Sequence, residues 1–294
     1  MLITVFTPTY NRAHTLGRTF ESLCRQKMPD FEWLIIDDGS KDGTKELVES
    51  FKEKSTFPIN YIRKENGGKH TAHNEALKHA KGILFFTVDS DDLLTHDSLS
   101  QIKKFSKELL ENQKACGIIA LKEYTEGNII GKEFPWDSAI MSLKEIEKKG
   151  YGGERSLIFK TEVLKKYPFP IIDGERFMTE SVIYDRIALD YKFLVKNISL
   201  TVCEYQPDGL TNNIIRTMVE NPTGFYIYFG QRIDFPECWS EILKNICSYH
   251  AFKRLTAKDK RKNYSYSGKH SFLVNLLWPC RYIMTFYYKS RIQE

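Results

Sequence analysis

Short apolar runs alternate with stretches of helical periodicity through the first 120 residues. The runs are ITVFTPT (3–9), FEWLIID (31–37), PINYIR (58–63), ILFFTV (83–88) and GIIAL (117–121), rich in Ile, Val and Phe and of strand length. Between them Leu16, Phe20 and Leu23, then Ala72, Ala76 and Ala80, recur at helical spacing. Asp42 and Asp97 stand where helix N-caps are expected. This β/α alternation predicts a doubly wound, mostly parallel α/β sheet with flanking helices and with ligands at the carboxyl ends of its strands.

Beyond residue 122 the pattern loosens into GYGGE (150–154) and YPFPIIDGERF (167–177), a helix near 180–190 and strands near 192–205. These read as completing one domain over residues 1–235. Residues 236–294 read as a helical, basic and aromatic extension. Its apolar run, SFLVNLLWPCRYIMTFYYK, is broken by Asn275, Pro279 and Arg281, too short and too polar to span a bilayer. A basic stretch beside such a helix suits an anionic membrane surface as well as it suits docking on the domain, and periodicity does not separate the two.

Charge sharpens that picture. Residues 250–294 hold ten Lys/Arg against Asp259 and Glu294, a net +8, which leaves residues 1–249 at −3. The chain as a whole is ordinary in composition, 41% hydrophobic over 294 residues, and can bury a substantial core. MLITVFTPTYNR has no charged n-region ahead of its apolar run and reads as a strand rather than a signal peptide, so a cytoplasmic location is expected. The six cysteines, Cys24, Cys116, Cys203, Cys238, Cys247 and Cys280, form no CxxC pair and read as reduced thiols. Without a secretory signal the sequons at Asn197 and Asn263 carry little weight.

The candidate chemistry lies at the predicted strand ends. In FFTVDSDDLL, Asp89, Asp91 and Asp92 crowd three carboxylates into four positions. A plain capping turn needs one or two of them, whereas three suit a hard-oxygen site for a divalent cation. TPTYNR offers Thr7, Thr9 and Tyr10, with a ring able to stack on a base. IIDDGSKDGT offers Asp38 as acceptor for an imide N–H, or else a simple Asp-Gly turn. NGGKHTAHNEAL places Gly67 and Gly68 before a helix start with Lys69, a setting that suits phosphate oxygens. His73 would approach a donor sugar or lie on the helix surface. No GxGxxG and no GxxxxGK[ST] occurs, which counts against nicotinamide and P-loop folds.

Taken in order and spacing, TPTYNR (7–12), IIDDGSKDGT (35–44), NGGKHTAHNEAL (66–77) and VDSDD (88–92) resemble glycosyltransferase family 2, whose members have the GT-A fold. The resemblance covers the first 120 residues well and fades toward 215. It implies a GT-A-type sheet, with 1–121 as the nucleotide-sugar-binding half and 122–235 as the acceptor half. It also implies an inverting transfer from a UDP-sugar to a saccharide acceptor, with no nucleic-acid partner; the basic tail motivates a lipid-linked (glycolipid) acceptor in surface polysaccharide assembly. On it, Thr7 and Tyr10 line the base pocket, Asp38 accepts from uracil, and Lys69 and Ser90 face the donor. Asp89 faces the ribose or metal, and Asp91 ligates Mn2+ or Mg2+ bridging the diphosphate.

The base for the acceptor hydroxyl is expected at Glu180, with Asp185 and Asp173 as competitors. The family's usual acidic pair is incomplete, because Ser181 follows Glu180. Trp136, Glu154, Arg155, Glu175 and Arg176 would shape the acceptor site, and Arg186 reads as a salt-bridged helix residue. A nucleotidyltransferase would instead place a glycine-rich basic loop after strand 1, and TPTYNR has no glycine. A non-catalytic nucleotide-binding protein stays open through Ser181. The extension carries the further expectation of peripheral attachment at the inner membrane face.

Overall fold

The computed structural model describes residues 1–204, 214–235 and 238–292. Its elements run β1 (Ile3–Thr9), α1 (Ala13–Cys24), β2 (Phe31–Asp37), α2 (Thr44–Lys54), β3 (Ile59–Arg63), α3 (Lys69–His79), β4 (Leu84–Thr87), β5 (Leu93–Leu94), α4 (Ser98–Glu111) and β6 (Ala115–Tyr124). They continue with β7 (Ala139–Met141), α5 (Leu143–Lys148), β8 (Arg155–Lys160), α6 (Thr161–Leu164), α7 (Ser181–Asp190) and β9 (Lys192–Cys203). The last helices are α8 (Ile214–Glu220), α9 (Pro222–Arg232), α10 (Trp239–Leu255), α11 (Lys258–Arg261), α12 (Ser271–Leu276) and α13 (Cys280–Ser290). Tyr205, at the end of the expected last strand, lies outside the described residues.

The chain divides into two compact units, Met1–Pro168 with Ile183–Gln206, and Phe169–Val182 with Pro207–Glu294. The expected boundary at 235/236 touches residue 236, outside the described residues. The observed division instead groups α8 and α9 with the C-terminal helices.

The first unit holds one sheet in the order β3-β2-β1-β4-β8-β6-β9-β5, with β7 also paired to β9. The first four long strands, β1 to β4, pair in parallel. Then β8 enters antiparallel between β4 and β6, β9 joins β6 in parallel, and β5 and β7 lie antiparallel on β9. The sheet is thus mixed, as expected of a GT-A-type fold. Both faces are covered, which is why its strands read as apolar runs rather than alternations. Ile3, Val5, Trp33, Ile35 and Phe86 pack under helices carrying Leu16, Phe20, Val48, Phe51 and Ile102, with Phe20 stacked on Phe51 at 4.2 Å. On the opposite face Phe6 and Phe85 meet the edge of His73 from α3 at 5.9 and 5.4 Å. His73 is therefore an interior residue, not a surface or sugar-facing one.

Asp42 sits one residue ahead of the α2 N-cap, where one carboxylate oxygen accepts from Thr44 N and the other from Ala13 N of α1. Asp97 holds the N-cap position of α4 without a side-chain cap bond and accepts from Gln101 instead.

The second unit is helical. Its core joins Phe225, Tyr226 and Phe229 of α9 to Ile246, Tyr249 and Phe252 of α10, with Val274 and Tyr288 docked from α12 and α13. Among the described residues no helix is long and apolar enough to cross a membrane.

The buried α3 histidines make stability pH-dependent. Burial holds His70 down at about 4 and His73 at about 3, against an ordinary 6.5. Below pH 6.5 the unfolded chain binds protons that the folded chain refuses, so stability falls on acidification toward pH 4, by up to about 1.4 kcal/mol per pH unit per histidine. Urea unfolding at pH 7, 6 and 5 is expected to show this slope, shallower in His73→Phe; equal slopes would place the titration elsewhere.

Candidate active site

The carboxyl ends of β2 and β4 carry five aspartates, and the structure gives each a different environment. Asp37, at the end of β2, accepts from Ser40 N at 2.7 Å and from the Tyr61 hydroxyl at 2.5 Å. Burial, then the bond to Asp37, pushes the Tyr61 phenol well above its ordinary value. Asp38 accepts from Gly67 N at 3.0 Å, Gly68 N at 2.7 Å and Lys64 Nζ at 2.7 Å. A carboxylate offers about four acceptor positions, so Asp38 is largely spent on tying the β3–α3 loop to β2. The glycine amides expected to cradle phosphate are the ones it holds. Gly68, the α3 N-cap, has φ +91°, a left-handed conformation that a side chain would strain.

The β1–α1 loop is fixed to the same region. Asn11 adopts φ +53°, tolerated by Asn where its amide bonds locally. Its Oδ1 accepts from Lys41 N and its own N–H donates to Ser40 Oγ. Thr7 is fully buried, and its hydroxyl accepts from Trp33 Nε1 at 2.9 Å. It braces two strands rather than lining a base pocket, a correction that follows from which way the pleat turns it. Thr9 is buried too, but its hydroxyl has no partner among the described residues. Tyr10 is 45% exposed, an uncovered ring at the strand end.

In the acidic loop the three carboxylates separate into three roles. Asp89 pairs with Lys69 at 2.7 Å; burial raises its carboxyl, but Lys69 and Lys122 outweigh this and hold it below the ordinary value. Asp92 is buried and pairs with Lys122 of β6 at 2.8 Å. Burial works against the Lys122 charge, yet Asp92 and Asp89 hold that ammonium protonated. Asp91 accepts no hydrogen bond among the described residues beyond one from its own backbone N–H. Burial, then the neighbouring Asp89 charge, pushes its carboxyl above the ordinary value. Ser90 is buried within the turn, its carbonyl accepting from Thr19 Oγ1.

Among the described residues no three His, Cys, Asp or Glu side chains converge as a metal cage. The donor set that remains, Asp91 beside Asp89, fits Mg2+ or Mn2+, hard ions that take one or two carboxylates and complete their shell with substrate phosphate and water.

Several expected acceptor residues turn out to hold loops. Arg155 donates to the carbonyls of Ile130, Lys132, Tyr151 and Gly152, stapling two loops together. Glu175 is buried and accepts from Thr223 N and Gly224 N at the start of α9, a helix cap. Arg176 N donates to Asn221. Trp136 stands edge-on to Tyr151 at 5.2 Å, and Glu154 approaches Cys203. Arg186 is exposed over the Tyr167 ring.

Glu180 is half-buried directly before α7, and Asp185 is half-buried within that helix. Asp173 is exposed, its backbone carbonyl bonded to Lys260. Asp89, Asp91 and Asp185 belong to the first unit, Glu180 and Asp173 to the second. Sequence reasoning missed Lys64 and Lys122. A lysine inside the apolar run IIALKEY was the available signal for Lys122, because a buried ammonium demands a carboxylate.

A mixed, GT-A-type α/β sheet with an acidic loop at the end of its fourth strand defines the class. Residues 4–167 match the family model for glycosyl transferase family 2, and the chain belongs to that family of glycosyltransferase enzymes. It is 33% identical over 110 residues to the poly(ribitol-phosphate) β-N-acetylglucosaminyltransferase TarS of Staphylococcus aureus, over 37% of this chain and 19% of TarS. It is 28% identical over 196 residues to TarP of the same species, named for the same activity, over 66% of this chain and 56% of TarP. The matches thus span about a fifth and just over half of these relatives. In fold it resembles crystalline S. aureus TarS 1–349 in complex with UDP, at a TM-score of 0.62 and 19% identity, covering 96% of this chain and 88% of that one. It also resembles the mannosyltransferase PcManGT of Pyrobaculum calidifontis in complex with GDP-Man and Mn2+, at a TM-score of 0.55 and 19% identity, covering 99% and 83%.

The Asp92–Lys122 pair yields a direct test. Removing either partner leaves a buried charge uncompensated, so Asp92→Asn and Lys122→Met are each expected to lose roughly 3–5 kcal/mol in urea unfolding. The double variant is expected to lose clearly less than the sum. Simple additivity would show that the two charges do not support one another.

Proposed function

We propose that this chain transfers a glycosyl group from a UDP-sugar to a hydroxyl of a saccharide or polyol-phosphate acceptor, inverting the anomeric centre, with Mn2+ or Mg2+ held by Asp91 and Asp89. The observation that carries this reading is Asp91, the carboxylate of the acidic loop that makes no ion pair among the described residues and that burial and Asp89 raise in spite of the Arg12 and Lys69 charges. The activity for which TarS and TarP are named supports an N-acetylhexosamine or similar donor and a polyol-phosphate polymer as acceptor. The UDP and UDP-GlcNAc complexes of TarS support uridine as the base.

In this reading the exposed Tyr10 ring stacks on the base. Asp38 accepts the imide N–H when Lys64, the one mobile donor of its three, turns away. Lys69 shifts from Asp89 toward the diphosphate. The bound cation supplies Lewis-acid stabilisation of the charge that develops on the departing diphosphate. The acceptor oxygen forms its bond to the anomeric carbon as the bond to UDP breaks on the opposite side. The acceptor proton passes to the Glu180 carboxylate, with Asp185 and Asp173 as the competing bases. A lipid-linked acceptor, met at the inner membrane face, completes the proposal and is supported by the basic extension.

Calorimetric titration with UDP is expected to show binding that requires Mn2+ or Mg2+ and is lost with chelator and in Asp91→Asn. Metal-independent binding would remove the metal assignment. Glu180→Gln is expected to lower kcat by about 10²–10⁴ while leaving UDP affinity unchanged; unimpaired turnover would pass the role to Asp185 or Asp173, each tested as its Asn variant.

A further inference from the structure

The second unit carries a basic cavity that the transfer reaction does not use. This half-open cavity of about 340 Å³ lies between α10, α11 and the start of α13, with Lys253, Arg254, Arg261 and Arg281 in its wall. The volume lies within the range of about 300–1,000 Å³ typical of small-ligand sites. Among the described residues none of these four cations makes an ion pair. Their groups are held instead by carbonyls and rings. Arg261 donates to the carbonyls of Thr256 and Arg254. Arg254 lies over the Tyr282 ring at 4.5 Å, and Arg281 over Trp278 at 3.1 Å. Arg281 also donates from Nη2 to the Tyr282 hydroxyl at 2.7 Å, and a guanidinium stacked on a ring keeps its remaining N–H groups for a phosphate.

The surface next to this cavity is apolar. On α13, Tyr282, Ile283, Phe286 and Tyr287 are exposed, Ile283 and Phe286 to 73% and 74%. Their spacing of three and four residues places them along one side of the helix. On α12, Phe272 is 81% exposed and Leu276 lies one turn on. The opposite sides of the same helices are satisfied, with Val274, Thr285 and Tyr288 buried and Tyr288 packed on Phe252 at 4.8 Å. The helices therefore dock by one side and present the other, so the two expectations for the extension fall on different sides of the same helices.

We infer that this face lies on an anionic lipid bilayer, with Phe272, Ile283 and Phe286 in the headgroup–acyl boundary and a phospholipid phosphate in the Lys253/Arg254/Arg261/Arg281 cavity. The inference deepens the reading of a lipid-linked acceptor and rests on it only for its biological purpose. Charge selects the occupant. A second copy meeting this face by two-fold symmetry would set the same unpaired cations against themselves, whereas a negative bilayer neutralises them. Aromatic rings with one polar edge, such as Trp278 and Tyr282, suit the interface between headgroup and chain.

The test is co-sedimentation of the full chain with phosphatidylcholine vesicles and with vesicles containing 30% phosphatidylglycerol, alongside UDP titration of every variant. Binding is expected only to the anionic vesicles. Arg254→Gln/Arg281→Gln is expected to weaken it at least tenfold, and Phe272→Ser/Phe286→Ser comparably. Lys104→Gln/Lys107→Gln, which removes the same charge from α4, is expected to weaken it less than threefold. Equal loss in the charge control would overturn the inference, as would equal binding to neutral vesicles. A stable dimer that dissociates in Phe272→Ser/Phe286→Ser would overturn it in favour of a second copy. Binding of glycerol phosphate in the cavity without vesicle retention would overturn it in favour of a soluble phosphate. Vesicle binding without UDP binding would leave this inference standing and remove the glycosyl-transfer reading; the reverse result would do the opposite.

Discussion

Carboxylates gathered at the carboxyl ends of parallel strands cannot leave water without a counter-charge or a full set of donors, and the first unit is organised around meeting that requirement. Asp38 is met by Lys64, Asp89 by Lys69 and Asp92 by Lys122, at 2.7, 2.7 and 2.8 Å. The three lysines come from the loop after β3, the first residue of α3 and the carboxyl-terminal part of β6. No single supersecondary unit contains both partners of the Asp92 pair, so the acidic loop acquires its final charge balance only when the mixed sheet has assembled around it.

That balance is deliberately incomplete at one position. Asp37 is held by Ser40 and Tyr61 and three other acids each face an ammonium, whereas Asp91 makes no ion pair among the described residues, and the Arg12 and Lys69 charges act on it less than burial and Asp89 do. A loop with every charge paired would repel a diphosphate less than a bare acidic loop but would give a cation no reason to bind. A loop with none paired would not be stable. Leaving one carboxylate without an ion pair keeps a local negative charge, and under the proposed reading that charge would be what attracts a divalent ion. Lys69 lies between these roles: it balances Asp89 now, and its flexible stem allows the same charge to serve a phosphate.

The sheet's first four long strands and their helices were legible in sequence because their information is local. Continuous apolar runs of five to seven residues, helical repeats and strand-end acids all sit within one βα unit. What was not legible depends on distant partners. The antiparallel entry of β8 between β4 and β6 is set by pairing across some seventy residues of chain, for which RSLIFK carries no direct sign. Thr7 reads as a pocket residue because its neighbours Thr9 and Tyr10 are at the strand end, but it lies two residues inside β1, fully buried, where its hydroxyl meets Trp33 of β2. Asp38 and Gly67-Gly68 were each recognised as binding elements; that they bind one another could not be read from either. Arg155 and Glu175, read as acceptor contacts from their charge and loop context, serve carbonyls and a helix start because a buried loop must satisfy its own backbone first.

The same accounting separates the two kinds of charged surface in this chain. In the first unit, three of the five acids at the strand ends face an ammonium, Asp37 is held by neutral donors, and Asp91 makes no ion pair among the described residues, which is the feature the proposed metal assignment rests on. In the second unit, cations cluster with no acid among the described residues to match them, held only by ring faces and carbonyls, beside apolar side chains that no other part of the described unit covers. Isolated surface lysines carry no such meaning, since water satisfies them at little cost. Arg281 is half-buried and stacked on Trp278, so it is partly removed from that water and an external phosphate can offset the lack of a carboxylate, whereas Arg254 beside it is exposed. Charge without an ion pair in a partly desolvated setting is thus the common signal at Asp91 and at Arg281, with the sign of the charge setting the chemistry of the ligand proposed for each.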